Sequence, residues 1–124
     1  MTTERGATTR ARASTPDRGA IAHAVAAAAL EVPGVARLTA GRGPVAAATH
    51  YPGGKVTGVR MTEEGVWVHI VVGLLPLGPV ADEVHRAVRA ALDRMGDARP
   101  VEVIIEDVEE SAFRSPLVRH RAVR

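Results

Sequence analysis

The chain has 124 residues, with 16 lysines and arginines against 14 aspartates and glutamates, no cysteine and one each of Trp, Tyr and Phe. This length fits one domain, and a hydrophobic fraction of 46% is typical of globular proteins. The absence of cysteine excludes disulfide frameworks, thiolate metal sites, iron–sulfur clusters and cysteine nucleophiles.

The net charge of +2 is the sum of opposed parts. Residues 19–110 carry eight basic and twelve acidic side chains, a net charge of −4, whereas residues 111–124 carry four arginines and no acid. Residues 1–16, rich in Thr, Ala and Arg without apolar periodicity, are predicted to be a disordered basic tail. No segment is typical of a secretion signal, and no apolar run reaches the roughly 20 residues of a membrane span, so we expect a cytoplasmic protein.

The predicted domain spans residues 17–110 and begins with a helix. Asp17 is expected to cap a helix over residues 18–31, which Pro33 and Gly34 end. A short strand follows, over either 35–40 or 45–48. The predicted buried stripe of the helix is Ile21, Val25, Ala28 and Val32.

A β-hairpin is predicted in the middle of the chain. Strands Val56–Thr62 and Val66–Leu74 flank Glu63-Glu64-Gly65, which we interpret as a three-residue loop with glycine at a bulged position. In the second strand Val66, Val68, Ile70 and Val72 should face the core, while Trp67, His69 and Val71 face away.

A second helix and a last strand complete the domain. Pro79 suits the first turn of a helix that runs to about Met95, and Gly96 caps its end. Val101, Val103 and Ile105 then alternate with other residues in a strand. The order helix–(strand)–β-hairpin–helix–strand predicts a single α+β domain with two helices packed on one face of a small sheet. Residues 111–124 form a basic C-terminal tail.

Side chains arranged for catalysis or metal binding are scarce. The three serines, Ser14, Ser111 and Ser115, fall in the predicted tails, and no two histidines have a metal-ligand spacing on a helix. Asp82 and His85 share a helix face at spacing three, which is more typical of a solvated surface than of an acid/base pair. We therefore expect neither an enzyme nor a metal or cofactor site, and no small-molecule substrate.

Contact with other molecules is the better-supported role. Trp67 and His69 lie on the face opposite the core stripe, where they form a contact surface or pack under a loop, and we take both as candidate interface residues. Gly53–Gly58 is interpreted as an architectural turn from which Lys55, a third candidate, projects outward. An alternative function is a nucleic-acid or anionic-membrane-surface binder acting through the tails, although one Lys and three aromatics offer no platform for stacking bases. The candidate contacts with an anionic surface are Arg114, Arg119, Arg121 and Arg124.

An ordered set of blocks over residues 20–108 resembles the alkaline shock protein family of bacterial envelope stress response proteins. The blocks are Ile21-Ala22 with Ala28–Val35, Gly53–Val59, Val66–Val72, Val80–Val84 with Val88, and Val101–Ile105 before Val108. No single block is specific; their order and spacing carry the resemblance. The segment Gly73–Gly78 differs from the family's usual Tyr-Gly-containing link.

The resemblance implies a non-enzymatic protein at the cytoplasmic face of the membrane, where relatives assemble with one another and are held by a separate membrane-anchored partner. The family has no catalytic residues to transfer. We therefore predict a self-associating or partner-docking scaffold, peripheral to the membrane, for which nucleic acid is not the expected partner.

Overall fold

The computed structural model describes residues 17–113. Its elements are helix α1 (Arg18–Leu30), strands β1 (Val35–Leu38), β2 (Ala48–Tyr51), β3 (Gly54–Thr57), β4 (Val59–Thr62) and β5 (Gly65–Val72), helix α2 (Leu77–Arg94) and strand β6 (Val101–Val108). Residues 110–113 are again helical. The α+β class and the order of the elements are confirmed, while residues 1–16 and 114–124 lie outside the described residues.

Strand β5 is the centre of the main sheet. Along one side it pairs in parallel with β6, from Val66↔Val101 to Val72↔Val108. Its other side is shared by two short antiparallel strands, because β4 pairs with the first half of β5 and β1 pairs with the second half. Strands β2 and β3 form a separate two-stranded sheet.

Both helices pack on one face of the main sheet, as predicted. The alternating residues of β5 that were expected in the core are fully buried, and the α2 stripe meets them with Val84, Val88 and Leu92 at 0% exposure. The predicted stripe of the first helix is confirmed at Ile21, Val25 and Val32 but is wrong at Ala28, which is half-buried, whereas Ala29 is buried. The other buried members of the core cluster are Ile21, Ala22, Val25, Val32, Val56, Val59, Met61 and Val80.

The predicted ends of both helices are confirmed by their caps. The Asp17 carboxylate accepts a hydrogen bond from Ala20 N at 2.7 Å. After α2, Asp97 N donates to Leu92 O at 2.9 Å and Gly96 N donates to Asp93 O at 3.1 Å, which is the Schellman pattern. The chain therefore enters α1 and leaves α2 where the sequence indicates.

The prediction for the hairpin loop is wrong by one residue. Thr62 pairs directly with Gly65, so the loop contains only Glu63 and Glu64, and both are exposed. Gly65 is a strand residue and is not among the glycines with positive φ. Gly65 therefore belongs to β5 and not to a bulged turn, and it lies beside the Trp67 indole, since a Cβ at residue 65 would be 3.4 Å from Trp67 Cη2.

The predicted strand Val56–Thr62 is also wrong, because it is broken at Gly58. Gly58 has φ +90°, and a Cβ there would lie 2.6 Å from Leu38 Cβ, so the position requires glycine. Its N–H donates to Ala47 O at 2.7 Å, and its carbonyl accepts from His69 N at 2.8 Å. Residues 54–57 pair with β2 instead. Of the two positions considered for the short strand after the first helix, 35–40 is confirmed as β1 (Val35–Leu38), whereas in 45–48 only Ala48 is a strand residue, as the first residue of β2.

An arginine cluster fixes the link between α2 and β6. Arg89 Nη1 donates to Arg99 O at 2.6 Å, and Arg99 Nη1 donates to Thr62 O at 2.7 Å. Arg99 also forms an ion pair with the Asp97 carboxylate at 2.6 Å. The side-chain hydrogen bond from Arg99 lowers the pKa of Asp97, whose carboxylate is only 9% exposed. This link ties the hairpin end of the sheet to the end of α2.

Candidate interaction surface

The side of the main sheet that faces away from both helices is here called the outer face. Side chains alternate along a strand, and because Val66, Val68 and Ile70 point to the helices, Trp67 and His69 point the other way. Paired residues on neighbouring strands share a face, which adds Arg60, Glu102 and Ile104. Arg60 and Glu102 are exposed, whereas the other three are half-buried.

One row across the outer face contains three side chains of different type on three adjacent strands. Arg60 on β4 pairs with Trp67 on β5, and Trp67 pairs with Glu102 on β6. The guanidinium carbon of Arg60 lies 4.6 Å from the centre of the Trp67 ring, within the range of a cation–π contact. The row therefore runs cation, aromatic ring, anion.

The neighbouring row contains a His–Glu pair. The Nδ1 of His69 lies 2.6 Å from Glu106 Oε2, and the two side chains are 17% and 21% exposed. A carboxylate oxygen accepts only, so the imidazole Nδ1–H is the donor. A β-bulge makes this contact: Ile70 pairs with Ile105 and Val71 with Asp107, which leaves Glu106 as the extra residue on β6.

The turn after β1 covers the His69–Glu106 pair. Gly41, with φ +84°, lies so close that a Cβ there would be 2.8 Å from Glu106 Oε2. Arg42 forms an exposed ion pair with Asp107 at 2.9 Å, and Arg37 forms one with Glu109 at 3.5 Å. His69 is therefore packed under a loop, which is one of the two settings expected for it, whereas Trp67 lies in the more open row.

The other predicted residues lie elsewhere. Lys55 is exposed on β3, in the two-stranded sheet and opposite His50, so it does not share a strand or a sheet with Trp67 and His69. Asp82 and His85 are both exposed on α2, which is the solvated helix surface that their spacing favoured. The tail residues Arg114, Arg119, Arg121 and Arg124 are outside the described residues.

Sequence reasoning missed Arg60, Glu102 and Ile104 as members of this face. A three-residue hairpin loop would pair Trp67 with Met61, whereas the observed two-residue loop pairs it with Arg60. Because side chains alternate, a shift of one residue exchanges the two faces of a strand. The signal that finds Arg60 is the core stripe itself, since Val59 and Met61 are apolar on either side of it.

Among residues 17–113, no group of three or more His, Asp or Glu side chains is arranged to hold a metal ion. Neither α1 nor α2, the long helices of that range, is apolar enough over sufficient length to cross a bilayer.

Comparison with known proteins identifies no family for the chain. No family model and no curated protein matches the chain. One solved structure, a MamM CTD in its zinc form 2, is similar to it with 20% sequence identity and a TM-score of 0.33, over 73% of this chain and 82% of that chain. A likeness at this level assigns no function to the chain.

Proposed function

We propose that this chain is a non-enzymatic interaction module that associates with a second copy of itself through the outer face of its sheet. The observation that carries the proposal is the row Arg60–Trp67–Glu102, in which an aromatic side chain lies between opposite charges on adjacent strands. Aromatic residues and arginine are the side chains most enriched at protein interfaces.

The row is complementary to itself under two-fold symmetry. Strands lie about 4.8 Å apart, so Arg60 and Glu102 are on opposite sides of Trp67. When two outer faces meet around a two-fold axis parallel to β5, Arg60 of each copy lies opposite Glu102 of the other, and the two Trp67 side chains meet on the axis. Homodimers most often have this symmetry, with the same patch on both copies.

The place of action is proposed from the sequence resemblance. The blocks over residues 20–108 are similar to those of the alkaline shock protein family, and this likeness supports a role as a scaffold in the envelope stress response. We propose that the protein works at the cytoplasmic face of the membrane and is held there by a separate, membrane-anchored protein. The acidic net charge of residues 19–110 fits a domain that reaches the membrane through a protein and not by direct contact with anionic lipid.

Two measurements on the full chain test this function against the tail-based alternative. Sedimentation velocity over a range of concentrations should give a monomer–dimer equilibrium, and a monomer at every concentration would contradict it. Replacing Arg114, Arg119, Arg121 and Arg124 by Gln should leave the dimer unchanged. If the same change abolishes self-association, or if the unmodified chain stays monomeric and cosediments with vesicles containing an anionic lipid, the tail-based alternative is favoured.

A further inference from the structure

A second surface, unrelated to the outer face, lies at the end of the helical layer where α2 begins. It is a cavity of about 390 Å³ whose walls include Pro33, Leu74, Leu75 and Pro79, with Glu83 as its acidic residue. Its walls are almost entirely apolar, and Leu74 remains 40% exposed. It is open to solvent, and its volume and apolar lining are within the range of clefts that bind ligands.

The cavity continues along the helices. A second cavity of about 320 Å³ lies between α1 and α2, shares Pro33 and Glu83 with the first, and adds Glu31, Ala87 and Arg94. The two neighbouring cavities are here together called the helical groove. Glu83 contacts Arg86 on the same helix. The lining of the groove therefore combines apolar walls with two carboxylates, Glu31 and Glu83, against one arginine, Arg94.

The chain after β6 is bonded to the end of β5, two residues before a wall of the groove. Glu109 N donates to Val72 O at 2.8 Å, and Leu74, a wall of the groove, is two residues beyond Val72. Residues 114–124 follow shortly afterwards. Eleven extended residues span up to about 36 Å, which exceeds the length of about 11 Å of two helical turns.

The chemistry of residues 114–124 is complementary to the groove. Leu117 and Val118 are apolar, and they are surrounded by four arginines with no acidic residue. Apolar side chains would fill the cavity between Pro33 and Leu74, while guanidinium groups would reach Glu31 and Glu83 at its rim.

We propose that residues 114–124 bind in the helical groove of their own chain. This inference does not depend on the outer face, so a dimer can exist without the contact, and the contact can exist without a dimer. It gives the C-terminal arginines a protein surface as their binding site, in place of nucleic acid or lipid.

Because the chain has no cysteine, one introduced cysteine is a unique labelling site. A nitroxide on His120→Cys should strongly broaden the amide NMR signals of Ala87 and Ala90, which line the groove. Arg37 and Gly41, near the same end of the sheet but associated with Glu109 and Glu106, should keep most of their intensity. Equal broadening of both sets would mean that the segment samples all directions and would overturn the proposal.

Two further experiments identify what occupies the helical groove. The first mixes protein that carries the nitroxide but no ¹⁵N with protein that carries ¹⁵N but no nitroxide. The ¹⁵N signals should show no broadening, because a segment bound within its own chain does not bring its nitroxide to the groove of another molecule. Broadening in the mixture would show that a second copy occupies the groove.

The second experiment changes the groove itself. Leu74→Ser in the spin-labelled chain should restore most of the Ala87 signal, whereas Val45→Ser, a matched change at a residue that is 76% exposed and outside the groove, should not. Equal effects of the two changes would also contradict the proposal.

Discussion

The guanidinium carbon of Arg60 lies 4.6 Å from the centre of the Trp67 ring, on the side of the sheet that faces away from both helices. The contact holds a cation over the lone tryptophan of the chain, and it joins β4 to β5 outside the hydrophobic core. Arg60 is exposed and Trp67 is half-buried, so both retain surface for a second molecule. Their position makes them the first residues to alter in a test of self-association.

Trp67→Ala should weaken the dimer and leave the fold in place. Trp67 is not part of the core cluster, and truncation of a central interface tryptophan typically costs 2 kcal/mol or more, which raises the dissociation constant about 30-fold. Sedimentation equilibrium measures the constant, and circular dichroism checks the fold. Val45→Ala is the control, since Val45 is exposed but lies outside the outer face. An unchanged constant for Trp67→Ala would remove the tryptophan from the interface.

Gly58→Ala should destabilise the protein by about 2 kcal/mol or more, because the new Cβ meets Leu38 and the residue has a left-handed backbone. Urea unfolding monitored by circular dichroism gives the difference. Gly43→Ala is the matched control: a Cβ at residue 43 meets nothing within 4 Å, and its effect should stay within about 0.5 kcal/mol. Equal effects at the two positions would show that the break between β3 and β4 is not fixed by Gly58.

Asp97→Asn should remove stability that is present at neutral pH. The hydrogen bond from Arg99 lowers the pKa of Asp97 in the folded protein, so the ionised carboxylate stabilises the fold above the ordinary Asp pKa of about 3.9. We expect a loss of about 1–2 kcal/mol at pH 7, since charge-assisted hydrogen bonds contribute at this level. The difference from the unmodified protein should shrink as the pH falls below 3.9 and through the lowered pKa of Asp97.

Urea unfolding at a series of pH values between 7 and 2.5 provides this comparison. Glu64→Gln, at the exposed hairpin loop, is the control and should change the unfolding free energy at pH 7 by no more than about 0.5 kcal/mol. A difference between Asp97→Asn and the unmodified protein that is the same at every pH would contradict the assigned role of the carboxylate.

The helices could be predicted almost to the residue, because local signals determine their ends. Asp17 and Gly96 form the expected caps, and the apolar period of α2 places Val84, Val88 and Leu92 in the core. The α1 stripe was harder to assign: in a run of alanines, Ala28 and Ala29 are equivalent in composition, and only packing against the sheet separates them.

The strand pairing could not be predicted because it depends on contacts between distant residues. Gly58 breaks a continuous run of strand-forming residues with φ +90°, and it lies against Leu38, which is twenty positions away in the sequence. The bulge that brings Glu106 to His69 likewise depends on the parallel pairing of β6 with β5. Trp67 was identified from its alternation, but its neighbours Arg60 and Glu102 required the observed register.

Charge reversal across the proposed two-fold axis tests self-association through the outer face most directly. Arg60→Glu and Glu102→Arg each place like charges opposite one another twice per dimer, and each should raise the dissociation constant about tenfold by sedimentation equilibrium. The double variant restores opposite charges and should recover most of the lost affinity. If the double variant associates no better than the weaker of the single variants, Arg60 and Glu102 do not face each other between copies, and the outer face is not the interface.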